Sequence, residues 1–243
     1  MSPPVFAEQA LIAVAANFSP VARELTAQFL ASTGHRVTLA TGSTGKLYAQ
    51  IVNGAPFDVL LAADRRRPLL LENSGRGVAG SRRVYAIGRL SLWQPRDNAL
   101  GEDAASVLRS GRFRSLAIAN PQLAPYGEAA RQTLAALGLT APLSARIVMG
   151  ENAAQAYALV ASGNASLGLI ATSQLRSAGS AISGHSWPVP ASLHAPIIQE
   201  LILLQQGAEN PAAHAFVDYV LGPSGRQLIE AGGFEVPADD AGR

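Results

Sequence analysis

Cysteine is absent from all 243 residues. That excludes disulfides, thiolate catalysis and cysteine-ligated zinc or iron–sulfur centres together. Charge is scarce too, at 15% of the chain, and 19 basic residues nearly balance 17 acidic ones. A net charge of +2 makes no polybasic surface, so nucleic acid is not an expected partner. The densest basic run, Arg65-Arg66-Arg67, reads as the solvated first turn of a helix. No apolar run reaches the roughly 18 residues that a membrane-spanning helix needs. The histidines (His35, His185, His194 and His214) are scattered, which suits surface or capping roles better than metal ligation.

Nucleotide and hydrolase signatures are missing as well. Gly75-Arg76-Gly77-Val78-Ala79-Gly80 matches GxGxxG by letter. It follows a helix pattern and precedes a strand pattern, the reverse of a dinucleotide site. Gly42-Ser43-Thr44-Gly45-Lys46 resembles a phosphate loop with a broken register. Ala40 replaces the first glycine, and Leu47 replaces the hydroxyl residue that holds magnesium. There is no GxSxG elbow and no HExxH. Asp58 opens a strand and Asp64 caps a helix, so the two do not read as a catalytic pair. Asn17-Phe18-Ser19 is formally a glycosylation sequon, but a glycan has no room at a buried helix entry. With no defensible general base or nucleophile, the chain does not read as an enzyme.

What is present is alternation. Residues 11–15, 37–40 and 59–62 are apolar strand-like runs, each followed by a helical pattern. The first helix takes Ser19 as N-cap and Pro20 as first helical residue, with Gly34 closing it. This βαβαβα order predicts a parallel sheet with helices on its faces. A long extended stretch at 84–93 follows, and then the pattern restarts with strands at 116–119, 145–149 and 167–171. Pro125-Tyr126-Gly127 reads as a turn before a helix at 128–137. Residues 177–196 read as a Ser-, Gly- and Pro-rich loop, 197–204 as a strand, and 211–221 and 224–231 as closing helices. The expected fold is α/β and bilobal, with the chain crossing at the two long extended segments and a ligand cleft between the lobes. The expected division is residues 8–86 with 197–243 in one lobe and 87–196 in the other.

Four strand-to-helix turns stand out: Ala15-Ala16-Asn17-Phe18-Ser19, Thr41-Gly42-Ser43-Thr44-Gly45, Ala124-Pro125-Tyr126-Gly127 and Gly150-Glu151-Asn152-Ala153. Helix N-termini carry unpaired N–H groups and a partial positive charge. Several aimed at one point make an anion site without Lys or Arg. Small neutral turn residues are also common in any α/β protein. Here all four turns offer neutral donors, and Glu151 is the one acid within them.

These residues carry a resemblance. Ala15-Ala16-Asn17-Phe18, Gly42-Ser43-Thr44-Gly45, QIVNGAPFDVLLAA at 50–63 with Asp64, and Tyr85-Ala86-Ile87-Gly88 are similar to the periplasmic molybdate-binding proteins of ABC transporters. So are residues 120–127, Gly150-Glu151-Asn152, and Gly222-Pro223 followed by Gly232-Gly233-Phe234. The likeness covers roughly residues 11–236. It implies a two-lobed periplasmic-binding-protein-like (type II) fold that closes over molybdate or tungstate and delivers it to a membrane permease. The implied ligands of the oxyanion are Ala16, Asn17, Ser43, Thr44, Tyr126 and Ala153, with Ala16, Tyr126 and Ala153 serving through the main chain. Molybdenum would be held as molybdate at these residues, with no free cation and no cofactor.

There are departures. One branch of the family has Ser at the Asn17 position and a ligating Tyr at the Ala171 position. Ala153 stands where a larger aliphatic residue is usual. The resemblance also implies an exported, monomeric periplasmic protein, and Val5-Phe6-Ala7 before Glu8 looks like a signal-cleavage site. Rival readings are a sulfate, phosphate or small organic-anion carrier of the same fold, the ligand-sensing domain of a regulator, and an enzyme on this scaffold. No helix-turn-helix segment supports the regulator.

Overall fold

The computed structural model describes residues 8–95, 101–179 and 183–237; Val5-Phe6-Ala7 lies outside them. The first half follows the expected alternation: β1 (Gln9–Ala15), α1 (Ser19–Thr33), β2 (Arg36–Gly42), α2 (Thr44–Val52), β3 (Val59–Leu61) and α3 (Arg66–Asn73). Then come β4 (Arg83–Gly88), β5 (Leu90–Gln94), α4 (Ala104–Ser110), β6 (Leu116–Ala119), α5 (Pro125–Ala136) and α6 (Thr140–Leu143). The chain continues through β7 (Ile147–Gly150), α7 (Ala153–Ala161), β8 (Leu167–Ala171), α8 (Thr172–Ala178) and β9 (His185–Pro188). It closes with β10 (Ile197–Leu203), α9 (Pro211–Leu221) and α10 (Pro223–Ala231).

Two five-stranded sheets result, ordered β2-β1-β3-β10-β4 and β7-β6-β8-β5-β9. They share one plan. In each, a central strand is flanked by two parallel partners, and a strand that follows a crossover runs antiparallel beside them. The expected parallel pairing holds among β1, β2 and β3, while β10 and β5 make the two sheets mixed. β5 and β10 each follow a passage from the other sheet, so they enter against the local strand direction.

The extended stretch at 84–93 also divides. It breaks between Gly88 and Arg89 into β4, in the first sheet, and β5, in the second. The return passage is the segment between β9 and β10, and β10 itself lies wholly in the first sheet. The stretch at 177–196 is not all loop, because β9 and a short 3-10 turn at Ala191–Leu193 lie within it. Its alternation is too short to read as a strand, and antiparallel pairing with β5 supplies the order.

Helices cover both faces of each sheet and bury four apolar clusters. Phe18, Phe29, Leu61, Tyr85 and Phe216 share one, and Leu90, Leu92, Leu116 and Tyr126 share another. No described helix is long and apolar enough to cross a membrane.

Candidate functional site

Each of the four turns leaves the carboxyl end of a parallel strand: β1, β2, β6 or β7. Parallel pairing sends each pair of turns to the same sheet edge, and the two edges face each other. Ala16, Asn17, Ser43, Thr44, Tyr126 and Ala153 all line one small cavity there, and none of its lining residues is charged. It leaves about 10 Å³ for the centre of a water-sized sphere. That allowance is on the order of one water molecule.

The first turn is held by its aromatic neighbour. Phe18 is fully buried and meets Tyr85 and Phe234 edge-on, with ring centroids 4.8 and 5.3 Å apart. Its N–H donates to the Ala15 carbonyl at 2.8 Å, so the helix begins one residue early. Ser19 is therefore the first helical residue and not the cap, and no side chain caps this helix. The third turn is tighter than expected as well. Pro125 opens α5, which places Tyr126 inside the first helical turn.

These starts leave donors free. The N–H groups of Asn17, Thr44, Tyr126 and Ala153 have no acceptor among the described residues. Two belong to each lobe. Ser43 caps α2 by accepting from the Lys46 N–H at 3.3 Å. The Thr44 hydroxyl oxygen accepts from the Ala63 N–H at 3.2 Å. An accepting hydroxyl keeps its own proton to donate. Ala16 departs from its implied role. Its N–H donates to the Gly42 carbonyl at 2.9 Å, continuing the β1–β2 ladder, and its carbonyl accepts from Gln174 at 3.0 Å. Ala16 is wall, not donor.

The Asn17 side chain is also committed elsewhere. Its amide donates to the Gln199 carbonyl oxygen at 2.9 Å, and Gln199 in turn donates to the Tyr126 hydroxyl at 3.3 Å. The Tyr85 hydroxyl lies 3.1 Å from both the same Gln199 oxygen and the Ala62 carbonyl. Burial pushes both tyrosine hydroxyls well above their ordinary pKa; for Tyr126 this is opposed by hydrogen bonds from Asn17 and Gln199. Both stay neutral at physiological pH.

Around the mouth, lobe-to-lobe contacts close the cleft. The Gly45 N–H donates to the Leu123 carbonyl at 2.9 Å, and Arg67 reaches the Gln122 carbonyl at 3.1 Å. Glu151 turns away from the cavity to pair with Lys46 at 3.2 Å. That exposed pair is worth about 0.2–1 kcal/mol. Asp64 caps from one residue further out than expected: its carboxylate accepts from the Arg67 N–H at 2.9 Å and pairs with the Arg67 guanidinium.

Sequence reasoning missed Gln199, Ser173 and Gln174. The Ser173 hydroxyl donates to the Asn17 carbonyl at 2.9 Å, beside the Gln174 contact to Ala16. Both lie on α8, a seven-residue helix with no side-chain cap to announce it. Gln199 did leave a signal, since it interrupts an otherwise apolar strand. Its neighbour Glu200 is explained by Arg65 and Arg82, at 2.7 and 2.9 Å.

A roomier cavity of about 620 Å³ lies behind the crossovers, near Arg89, Arg176, Glu230 and Glu235. Arg89 already pairs with Glu235, and the mixed acid and base lining favours neither sign of ligand. Among the described residues, no group of three or more His, Asp or Glu is placed to hold a metal ion.

Comparison with known proteins decides the family. The model of the bacterial extracellular solute-binding protein family matches residues 10–235. The molybdate-binding protein ModA of Azotobacter vinelandii is 46% identical over 228 residues, covering 94% of this chain and 90% of that protein. The chain belongs to the ModA family of bacterial extracellular solute-binding proteins. ModA of Rhodobacter capsulatus is 41% identical over 231 residues, with 95% and 90% covered. The solved periplasmic molybdate-binding protein of Azotobacter vinelandii superposes with a TM-score of 0.90 at 40% identity, covering 94% of this chain and all of that one. The ModA architecture is two-lobed and type II, as the two matched sheets of this chain are. These relatives are solute-binding proteins by name.

Proposed function

We propose that this ModA-family chain is the solute-binding component of an ABC importer, capturing molybdate in the cleft and passing it to a membrane permease. Tungstate, of the same charge and shape, is a second ligand. One observation carries the reading: four residues with unpartnered main-chain donors, two from each lobe, line one small uncharged cavity. Asn17, Thr44, Tyr126 and Ala153 donate through main-chain N–H groups, and Ser43 and Thr44 add their hydroxyls. The two sheets with their helices are the two closing bodies, and Ile87 and Gly88, expected in the second, pair with Ile198 and Ile197 in the first. The protein works as a periplasmic monomer, by binding and release without chemical change to its cargo.

The chemistry of the donors sets selectivity. Molybdate, tungstate and sulfate are fully deprotonated at neutral pH, whereas phosphate keeps a proton that needs an acceptor. No carboxylate lines the cavity to take it. Sulfate has shorter bonds to oxygen, so donors fixed on packed helix starts cannot all reach it without strain. A sugar phosphate would hold the lobes apart. A thermal-shift panel tests this directly. At a ligand concentration 100 times Kd the folded state gains about 2.7 kcal/mol. At about 2–4 °C per kcal/mol for a chain of this size, molybdate and tungstate raise Tm by roughly 5–11 °C. Sulfate gives a small shift and phosphate none. No shift with any of the four would end the reading.

Thr44→Val keeps the side-chain shape and deletes the hydroxyl. Losing a hydrogen bond to a charged group costs about 1.5–3 kcal/mol of binding, and the Ala63 N–H left unpaired costs about 1–3 kcal/mol of folding stability. Titration calorimetry and urea melts read the two losses separately.

A further inference from the structure

Gln199 is fully buried, carries no charge, and touches neither the cavity nor the solvent. Its carboxamide nevertheless ties together the two lobes. The carbonyl oxygen takes the Asn17 amide of the first turn and stands 3.1 Å from the Tyr85 hydroxyl. The amide nitrogen donates to the hydroxyl of Tyr126, whose main-chain N–H belongs to the third turn. β10 shifts register between Gln199 and Glu200, a local irregularity that interrupts its pairing with β4 at this residue. The space is also reserved by the backbone: a side chain on Gly88 would come within 2.0 Å of the Tyr126 hydroxyl and 2.9 Å of the Gln199 amide nitrogen.

We infer that Gln199 is a positioning residue that sets the distance between the Asn17 and Tyr126 donor turns, and through it the size of anion the closed cleft accepts. The inference rests on the oxyanion-binding reading above. Asn17 and Tyr126 each present a main-chain donor to the cavity and a side chain to Gln199, so one carboxamide fixes both from behind. A cleft that tells anions apart by size needs its donors held at a fixed separation across a hinge. Neutral partners suit the task, because a charge here would act on the bound dianion directly. A buried network with every member paired is also stiffer than the same volume of apolar side chains.

The test compares Gln199→Met, Tyr126→Phe and the double variant with the wild type, by titration calorimetry with molybdate and with sulfate. Gln199→Met keeps length and burial; Tyr126→Phe keeps the main-chain donor and removes only the hydroxyl. Both single variants lose tenfold or more in molybdate affinity and at least fivefold in the ratio of molybdate to sulfate affinity. The double variant loses no more than the worse single one. A purely structural role would lower Tm and leave the anion ratio alone, so unliganded melting is measured beside it. A wild-type ratio in Tyr126→Phe, or additive losses in the double variant, overturns the inference. Should Gln199→Met fail to fold, Tyr126→Phe decides alone. A wild type that binds neither anion defeats the functional reading first, and the inference with it.

Discussion

Ala153→Pro is expected to weaken molybdate binding about 10- to 150-fold while leaving the fold intact. Proline is favoured at the first position of a helix, where the missing N–H has no intrahelical role. Ala153 occupies that position in α7, and Asn152 before it has φ −146° and ψ 178°. That extended conformation is close to the one a following proline imposes. The Asn152 side chain still caps the Gln155 N–H at 3.0 Å. What the substitution removes is one donor to the dianion, worth about 1.5–3 kcal/mol, where 1.4 kcal/mol is tenfold. The ring also places carbon where the proton was, which adds to the loss. Ala153→Gly keeps the N–H and serves as the control. Calorimetry that finds wild-type affinity in Ala153→Pro would remove the α7 start from the site.

How much of this was legible beforehand differs by element. Turns announced themselves, because a strand followed by Gly, Ser, Thr or Asn and then a helical pattern has few other meanings. Ser43 and Asn152 each cap the helix that follows, accepting from the N–H three residues on. The mixed sheets were not legible, since strand direction is set by where the chain last was and not by the residues of β5 or β10. The roles of Ala16 and Asn17 needed coordinates too. Ala16 is spent on the Gly42 carbonyl by the β1–β2 register, and the Asn17 amide on a residue 182 positions away. Nor could α8 be seen, though Ser173 and Gln174 hold the carbonyls of the first turn. Short-range patterns carry local structure; contacts between lobes depend on the whole chain.

Gly127→Ala is expected to damage stability and binding together. A Cβ on Gly127 would lie 2.2 Å from the Ala119 carbonyl oxygen and 2.7 Å from the backbone carbons of Ala119 and Asn120. All three are backbone atoms of β6 and the turn after it, so no flexible side chain can yield. Helix α5 must therefore move off the sheet. Overpacking of this kind costs about 1–3 kcal/mol, which lowers Tm by roughly 2–12 °C at this chain length. Tyr126 precedes Gly127 in the same turn, so the shift withdraws its N–H from the cavity and its hydroxyl from Gln199. Molybdate affinity then falls about tenfold or more, the loss expected for a misaligned hydrogen bond to a charged group. Gly138, at the other end of this helix, provides the contrast. It has φ +72° and nothing within 4 Å of where a Cβ would sit, so its constraint is conformational alone. Asparagine tolerates that region, and Gly138→Asn should bind molybdate as the wild type does. Equal affinities for Gly127→Ala and Gly138→Asn would show that close approach of α5 to β6 does not aim the Tyr126 donor.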